Sequence, residues 1–415
     1  MKNCITKRYY TKMIKSDGIF EYWGGKNFIY GIVDKNTVHI TIPEDVDNIN
    51  IYHFYACKKL QRIDVDEKNK NYTSVDGVLF NKNKTEMLIY PVGKEDKRYV
   101  MPDGVIGLDC FQDCRYLQNL VLPATMENIP KYAFDKLTNL HSIEVSEDNR
   151  KFSSIDGMVL NKDKTELLWY PKGRTEKVCV VPEGVKRLAL SFENNNLEEI
   201  VIPSTLDCPF VDKLSRANNL QRIDVADNNK KFASINGVLF SKDKTELLMC
   251  PRGRQDDIYT IPECVSSISK EAFSGVRIKN IIIPNNVKHI DKWAMWNACF
   301  KTVSVLDGVD CDLSGDTFAC VFELEQIIVD ERNQRYSSLD GVLFNKDKTE
   351  LLKYPSSKSG VTYTIPESVE RIAKYAFMVD VDMFPKKVIV PPGTKAKFET
   401  MLPNLKSRIK EKKYR

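Results

Sequence analysis

Apolar and polar residues alternate in many short stretches of this chain. The clearest stretches follow the pattern L-x-x-I-x-V at residues 60–65, 140–145 and 220–225, and L-x-x-L-x-L at residues 117–122. Successive side chains of an extended strand point to opposite faces of a sheet. Each stretch therefore predicts a short β-strand that buries its aliphatic side chains and exposes the residues between them.

These strands recur with a short period, which is marked by prolines. Three pairs of prolines lie 21, 21 and 22 residues apart: Pro102 and Pro123, Pro182 and Pro203, and Pro262 and Pro284. This length is typical of a leucine-rich repeat, in which each coil holds a strand and a return segment. Because one coil cannot bury its own apolar face, stability is expected to come from the stacking of neighbouring coils. Phenylalanines, half of them in Ala-Phe pairs, are predicted to fill the interior from the return side: Phe54, Phe111, Phe134, Phe273, Phe318 and Phe377.

A longer period is superimposed on the short one. A block of about 25 residues begins at Asn69 and returns at Asn149, Asn229 and Asn333. The prolines that close these blocks are spaced by 80, 80 and 104 residues, and the last interval is longer by about one short repeat. Within each block, Gly-Val-Leu-Phe and Glu-Leu-Leu-x-Tyr predict two strands, while Asn-Lys-Asp-Lys-Thr supplies turn residues between them. Each block therefore predicts a β-hairpin inserted among the coils.

These motifs resemble those of the BspA-like leucine-rich-repeat family, the bacterial surface-antigen type. The resemblance rests on the Ile-Pro starts, the Ala-Phe pairs, the Cys-x-x-Leu pieces at Cys57 and Cys114, and the block DGVLFNKDKTELLxYP, over roughly residues 40–391. It implies a right-handed solenoid with a parallel sheet on its concave side. It also implies a surface or secreted protein that binds host proteins, matrix proteins or other cells, and it carries over no catalytic residues.

We therefore predict an α/β fold, a right-handed and horseshoe-like leucine-rich-repeat solenoid with a parallel strand sheet and interspersed β-hairpins. Residues 1–40 are expected to form an N-terminal cap, because terminal coils need a protected edge. Residues 41–392 are expected to form the solenoid, with super-repeats of about 80 residues. Residues 393–415 are expected to form a C-terminal cap and basic tail, with a short helix around residues 395–402.

Composition narrows the classes of partner. The net charge is only +5 and the pI is about 8.4, whereas a nucleic-acid-binding domain more often has a pI above about 9, so no nucleic acid is expected. No segment approaches the roughly 18 apolar residues of a membrane span. The N-terminus lacks the apolar stretch of about 7–15 residues typical of a secretory signal. The sequence thus predicts a cytoplasmic protein, while the family resemblance implies the cell surface or secretion.

Cysteine chemistry is not predicted. The 11 cysteines are too dilute for a disulfide-stapled scaffold, and the one close pair, Cys110 and Cys114, has no second pair to complete a zinc site. In other coils the position of Cys114 is filled by Leu137, Ala217 and Val321. A position that accepts all of these residues is interpreted as a small buried core site.

Other catalytic or metal-binding motifs are equally weak. The four histidines follow no metal-binding or triad spacing. In the Asn-Lys-Asp-Lys-Thr-Glu turns, lysines separate the acidic residues, which does not suit calcium. The four tryptophans follow no repeat-wide pattern, and we interpret Trp23, Trp169, Trp293 and Trp296 as packing residues. We predict no cofactor, no metal site and no enzymatic activity.

The hairpin turns form one candidate binding surface. Each turn carries two lysines, and stacked hairpins would align them into a basic ribbon: Lys82, Lys84, Lys162, Lys164, Lys242, Lys244, Lys346 and Lys348. Such a ribbon could attract an acidic glycan or another anionic partner. The alternative is that these lysines protect hairpin edges from pairing with other chains, and the acidic residues of the turns dilute their charge.

The exposed face of the strands forms the second candidate. Its charged positions are Arg62, Asp64, Glu144, Arg222 and Asp224. In strands that end in proline, the corresponding positions are aliphatic: Val121, Val201, Ile282 and Ile389. Repeat proteins commonly bind through this face, although the aliphatic residues could instead pack under the hairpins.

The first hypothesis is a non-enzymatic protein that binds a macromolecule, with a protein as the partner and recognition or adhesion as the role. Two alternatives stay open. One is a structural or assembly module without a dedicated ligand, and the other is anion or glycan binding through the lysine-rich hairpins.

Overall fold

The computed structural model describes residues 14–109, 111–190, 192–193, 196–313, 317–318, 320–377 and 385–412. The chain divides into two compact units. Unit 1 comprises Met1–Glu176 with Val185–Asn194, and unit 2 comprises Lys177–Gly184 with Asn195–Arg415. Each unit is a β-solenoid of stacked coils with very little helix.

The long strands of unit 1 pair in parallel, as the alternating pattern predicts. One set contains β4 (His39–Ile42) and β6 (Arg62–Val65), and a second contains β10 (Arg98–Val100), β12 (Asn119–Leu122) and β13 (Ser142–Val145). Alternate side chains point inward; Ile63, Leu120 and Ile143 are fully buried, whereas Val65 and Val145 at the strand ends are half-buried. Burial of such a side chain stabilises the fold by about 1.5–3 kcal/mol.

The repeated blocks of unit 1 form antiparallel sheets with one more strand than predicted. The first block contains β7 (Tyr72–Val75), β8 (Val78–Asn81) and β9 (Glu86–Ile89), followed by β11 (Gly107–Leu108) in parallel; the second contains β14 (Phe152–Ile155), β15 (Met158–Asn161), β16 (Glu166–Trp169) and β18 (Arg187–Leu188). The predicted hairpin is β8 with β9. The additional strand, β7, is joined through Asp76 and Gly77, whose φ angles of 49° and 76° fit a type I′ turn. The Asp-Gly dipeptide was the available sequence signal for this turn.

The start of unit 1 is also antiparallel. It contains β1 (Ile14–Ser16), β2 (Phe20–Trp23) and β3 (Phe28–Ile32), with β5 (Asn48–Ile49) parallel to β3 and the short helix α1 at Ile51–Phe54. Of these elements, β1, β2 and β3 lie within the predicted cap, residues 1–40, whose boundaries stay a prediction.

Unit 2 contains three parallel sets of long strands. They are β17 (Val178–Val180), β19 (Glu199–Ile202) and β20 (Arg222–Val225); β24 (Ile258–Thr260), β26 (Asn280–Ile283), β28 (Thr302–Val305) and β29 (Gln326–Val329); and β33 (Thr362–Thr364), β35 (Lys387–Val390) and β36 (Ile409–Glu411). The second set is the longest parallel sheet among the described residues, because the additional short repeat predicted between Pro251 and Pro355 contributes a strand to it.

Unit 2 also contains two block sheets and its few helical turns. The sheets are β21 (Phe232–Ile235), β22 (Val238–Ser241), β23 (Glu246–Met249), β25 (Ser267–Ile268) and β27 (His289–Ile290); and β30 (Tyr336–Leu339), β31 (Val342–Asn345), β32 (Glu350–Lys353) and β34 (Arg371–Ile372). The helices are α2 (Val211–Leu214) and α3 (Lys395–Met401), with a 3₁₀ helix at Pro403–Arg408. The helix predicted around residues 395–402 is therefore confirmed.

The predicted α/β class is wrong about the helices, because the described residues contain very little helix. The return segments are mostly turns, since an aromatic residue and a small residue suffice to fill each corner. Phe54, Phe111, Phe273 and Phe318 are buried as predicted, and Phe377 is half-buried. The right-handed winding and the horseshoe-like curvature stay predictions.

A buried asparagine fixes each block to the coil before it. Asn149 donates from Nδ2 to the carbonyl oxygens of Pro123 and Met126, at 3.0 and 2.9 Å. Its Oδ1 accepts from the backbone N–H groups of Lys151 and Phe152, at 2.9 and 2.8 Å. The same four bonds recur at the first residue of the other blocks: Asn69, Asn229 and Asn333. A fully bonded amide can be buried without the penalty of an unsatisfied polar group.

Candidate functional site

The first lysine of each hairpin turn is bonded to the protein itself. Lys162 donates from Nζ to the carbonyl oxygen of Glu147 at 3.0 Å, and Lys242 donates to that of Asp227 at 2.7 Å. Lys82 and Lys346 donate to two carbonyl oxygens each, including those of the block asparagines. These four ammonium groups therefore tie the turn to the segment before the block.

The second lysine of each turn has an unusual backbone conformation. Lys84, Lys164, Lys244 and Lys348 have φ angles of 58°, 56°, 63° and 56°, in the left-handed region that favours glycine. Lys164 and Lys244 are exposed in their own units. Of these four lysines, Lys84 is exposed as well and Lys348 is half-buried. The basic ribbon as a binding surface stays a prediction.

The charged residues predicted on the strand face lie at outward positions but largely neutralise one another. Arg62 pairs with Asp64 at 2.8 Å, and Asp64 also contacts His39 at 2.8 Å. These contacts lower the pKa of Asp64, chiefly through the hydrogen bond from Arg62. In the other strands, Arg222 pairs with Asp224 at 2.5 Å, and Glu144 pairs with Arg98 at 3.4 Å.

The longest parallel sheet differs from the others in its outward face. In register, its outward rows are Ile258, Asn280, Thr302 and Gln326, and Thr260, Ile282, Ser304 and Ile328. None of these eight side chains carries a charge. Two isoleucines on the outer strands are strongly exposed, Ile258 at 59% and Ile328 at 46%.

Ion pairs border this uncharged face. At the start of the strands, Lys279 pairs with Asp257 at 2.6 Å and Lys301 pairs with Glu325 at 3.0 Å. At the other end, Arg332 contacts Asp330 at 3.0 Å and Asp307 at 3.6 Å, and its guanidinium lowers the pKa of Asp330 to about 2. A neutral centre with a charged border is the usual anatomy of a protein–protein interface.

A pocket of about 460 Å³ lies on the return side of unit 2. Its lining comes from successive corners of the stacked coils: Ser215, Arg216, Arg252, Glu271, Ser274, Trp293 and Trp296. The two tryptophan rings lie 5.4 Å apart at an angle of 48°, and they are 44% and 38% exposed. The interpretation of these two tryptophans as packing residues is therefore wrong, whereas Trp169 does pack against Phe134 at 5.6 Å.

Among the described residues, no group of three or more His, Cys, Asp or Glu side chains could hold a metal ion. Among the described cysteines, Cys57 and Cys114 are buried as predicted, while Cys4 and Cys110 lie outside the described residues. Lys353 is fully buried, its Nζ has no hydrogen-bond partner in the described part of the chain, and burial lowers its pKa to about 8.

The sequence matches the BspA type leucine-rich repeat region, in six copies, over residues 31–96, 102–163 and 257–380. These matches cover more than half of the chain. The chain belongs to the BspA-type leucine-rich repeat family. The family predicted from the repeats is thereby confirmed, although no curated protein matches the sequence.

Several solved structures are similar to this BspA-type chain, at low sequence identity. A leucine-rich repeat protein from Eubacterium ventriosum has 19% identity and a TM-score of 0.38, with 76% of this chain and 89% of that chain covered. The pneumococcal vaccine antigen PcpA has 17% identity and a TM-score of 0.30, with 91% and 69% covered. A leucine-rich cell surface protein from Faecalibacterium prausnitzii has 16% identity and a TM-score of 0.25, with 97% and 96% covered. Within the described residues of the present chain, no helix has the length and apolar character needed to cross a membrane.

Proposed function

We propose that this chain is a non-enzymatic binding protein that recognises another protein through the uncharged outward face of β24, β26, β28 and β29. The observation that supports the proposal is the absence of charge from all eight outward positions of that sheet. Desolvating such a face costs less than desolvating ion-paired strands, because no charged group has to lose its water. The exposed side chains of Ile258 and Ile328 supply apolar area to bury.

The other long-strand faces fit this role less well. Their outward positions carry Arg98 with Glu144, Arg62 with Asp64, and Arg222 with Asp224. A protein partner there would have to cover several charges, and buried ion pairs contribute little net affinity unless every group is satisfied. The proposal includes a right-handed winding and a place at the cell surface, both of which follow from the family resemblance.

Site-specific photo-crosslinking tests this proposal and identifies the partner. A photoreactive residue at Ser304, in the centre of the face, is expected to capture a protein partner, whereas the same residue at Thr364, exposed on β33, is not. The affinity of the captured protein is then compared for the native chain and for Ile328→Arg. A charge introduced at this position should weaken binding by about tenfold or more, which corresponds to about 1.4 kcal/mol. Thr364→Arg is the matched control.

Two results would contradict the proposal. One is equal capture by the Ser304 and Thr364 positions, and the other is an unchanged affinity in Ile328→Arg. Circular dichroism and thermal melting of both variants ensure that a loss of binding does not reflect unfolding.

The second lysines of the turns favour a second candidate, anion binding through the hairpins. Lysine is kept at Lys84, Lys164, Lys244 and Lys348 although glycine or asparagine adopts a positive φ at lower cost. Retention on heparin should fall steeply when these four residues become Gln, and unchanged retention argues against this candidate.

A further inference from the structure

Two equivalent corners of the repeat differ in one ion pair. In unit 1, the residue after Pro171 is Lys172, and its ammonium group lies 3.1 Å from the carboxylate of Glu193, which follows Phe192. In unit 2, the residue after Pro251 is Arg252, and the residue after Phe273 is Ser274. The carboxylate that neutralises the first corner is therefore replaced by a hydroxyl group in the second.

Arg252 lacks an ion pair in the described part of the chain. It donates to Ser274 Oγ at 3.1 Å and to Asn218 Oδ1 at 3.5 Å, both of which are neutral. The guanidinium is half-buried, and this burial lowers the pKa of Arg252, with only a partial offset from Glu271. By contrast, the base three residues after the closing proline is ion-paired in every block: Lys94 with Asp96, Arg174 with Asp156, Arg254 with Asp256, and Lys358 with Asp340.

Arg252 lines the pocket that contains Trp293 and Trp296. Trp293 and Trp296 present exposed aromatic rings, and the ammonium group of Lys270 lies 5.6 Å from the centre of the Trp293 ring. Glu271, the carboxylate of the lining, lies 3.5 Å from Lys270 and is thereby partly neutralised. A side chain at position 275 would crowd the guanidinium, because a Cβ there would lie 3.1 Å from Arg252 Nε. Glycine at this position leaves that space open.

We propose that this pocket binds a sugar residue that carries a carboxylate, with the carboxylate on Arg252 and the sugar ring against the Trp293–Trp296 pair. A carboxylate from the ligand would take the position that Glu193 occupies beside Lys172 in unit 1, and it would form a charge-assisted hydrogen bond with the arginine. Aromatic rings provide flat apolar surfaces with polar edges, which suit the C–H faces of a pyranose ring. This site is separate from the protein-binding face proposed above and does not depend on it.

A glycan array of neutral, sialylated and uronate-containing oligosaccharides tests the proposal with the full-length protein. We expect retention of acidic glycans and not of their neutral counterparts. Ser274→Glu should reduce this binding by about tenfold or more, because an internal carboxylate then occupies Arg252. Since Glu193 occupies the same corner in unit 1, this variant should fold normally. Arg252→Gln and Trp296→Ala should weaken binding to a similar extent, whereas Lys172→Gln should not affect it.

The outcomes separate the proposal from its alternatives. No retention of any acidic glycan would overturn it, as would unchanged binding by Ser274→Glu or by Arg252→Gln. Equal retention of neutral and acidic glycans would also overturn the proposal, because binding would then not depend on the carboxylate. If a hexaglutamate peptide binds more tightly than the best glycan and depends on Arg252, the pocket recognises an acidic peptide, and the saccharide proposal is wrong. Melting curves of each variant show whether a loss of binding reflects the site or the fold.

Discussion

The corner between Pro171 and Glu193 in unit 1 and the corner between Pro251 and Ser274 in unit 2 are copies of one arrangement. Both place a base after the closing proline and a buried phenylalanine in the return segment, Phe192 or Phe273. In unit 1 the base meets a carboxylate at 3.1 Å, and in unit 2 it meets a serine hydroxyl at 3.1 Å. Beside the second corner lies a pair of exposed tryptophans, Trp293 and Trp296.

This difference shows where a repeat protein can vary without loss of its fold. The buried aromatic and the block asparagine are the same in both copies, because a change there would leave a cavity or unsatisfied polar groups. The charge balance of the corner is different, because an exposed or half-buried ion pair contributes little to stability. A missing counter-charge in one copy is therefore a signal of binding rather than of folding.

The largest expected effect on stability concerns the block asparagine, which both copies share. Asn149→Ala and Asn229→Ala each remove four hydrogen bonds and leave buried backbone groups without partners, so each should lower the free energy of unfolding by about 2–4 kcal/mol. Urea unfolding measures both losses. Losses below about 1 kcal/mol, or losses that differ widely between the two variants, would contradict a shared structural role.

The next largest effect on stability is expected at Lys353, a buried charged residue at a position that is apolar in the equivalent block. The equivalent residue of β23 is Met249, and burial lowers the pKa of Lys353 to about 8 from 10.5. The folded chain therefore loses this proton at lower pH than the unfolded chain, so its stability should rise between about pH 8 and 10.5. The cost at neutral pH is on the order of 3 kcal/mol. Lys353→Met should be more stable at pH 7, and its advantage over the native chain should shrink as the pH rises to 10. An advantage that does not depend on pH would argue against a buried charge.

A smaller effect follows from transferring the unit 2 corner into unit 1. Glu193→Ser removes the partner of Lys172, whose side chain is 24% exposed against 33% for Glu193. The free energy of unfolding should fall by only about 0.5–1 kcal/mol, because solvent already screens this pair. The loss should diminish in 1 M NaCl. A loss of several kcal/mol would show that the ion pair is essential to the corner, and that Arg252 in unit 2 must be compensated in another way.

The smallest effect distinguishes backbone strain from side-chain function in the hairpin turns. Lys164→Gly and Lys244→Gly relieve a positive φ, at 56° and 63°, and should each stabilise the chain by about 0.5–1 kcal/mol. Thermal melting measures the change, with Lys164→Ala and Lys244→Ala as controls that should not stabilise it. If the glycine variants are less stable than the native chain, the lysine side chain contributes to the fold.

Several predicted features of the repeat are present in the structure because they depend on local pattern. Alternation at Leu60, Ile63 and Val65 is enough to predict a strand with one buried face, and β6 follows. The return segments were harder to predict, because turns filled by a phenylalanine and a small residue have the same composition as short helices. The third strand of each block was missed because β7 and β14 are polar and half-buried, with little apolar alternation.

The candidate sites were less predictable than the fold. The uncharged face depends on which strands become neighbours, and the sequence signal for it is only the lack of charge at alternate positions of residues 258–328. Trp293 and Trp296 gave no repeat pattern, and the available signal was their departure from the other corners. The sequence signal for the pocket is the residue that follows each corner aromatic, which is Glu193 after Phe192 but Ser274 after Phe273.

The sequence by itself determined the family, the strands and the hairpins, because each of these follows from short-range periodicity and turn chemistry repeated in register. Only the tertiary structure decided which charges are neutralised and which remain available. Stacking places residues about 22 positions apart side by side, as with Arg252 and Ser274, so a counter-charge is decided by the neighbouring coil. It is likewise the stacking of three corners that turns Arg252, Trp293 and Trp296 into one pocket.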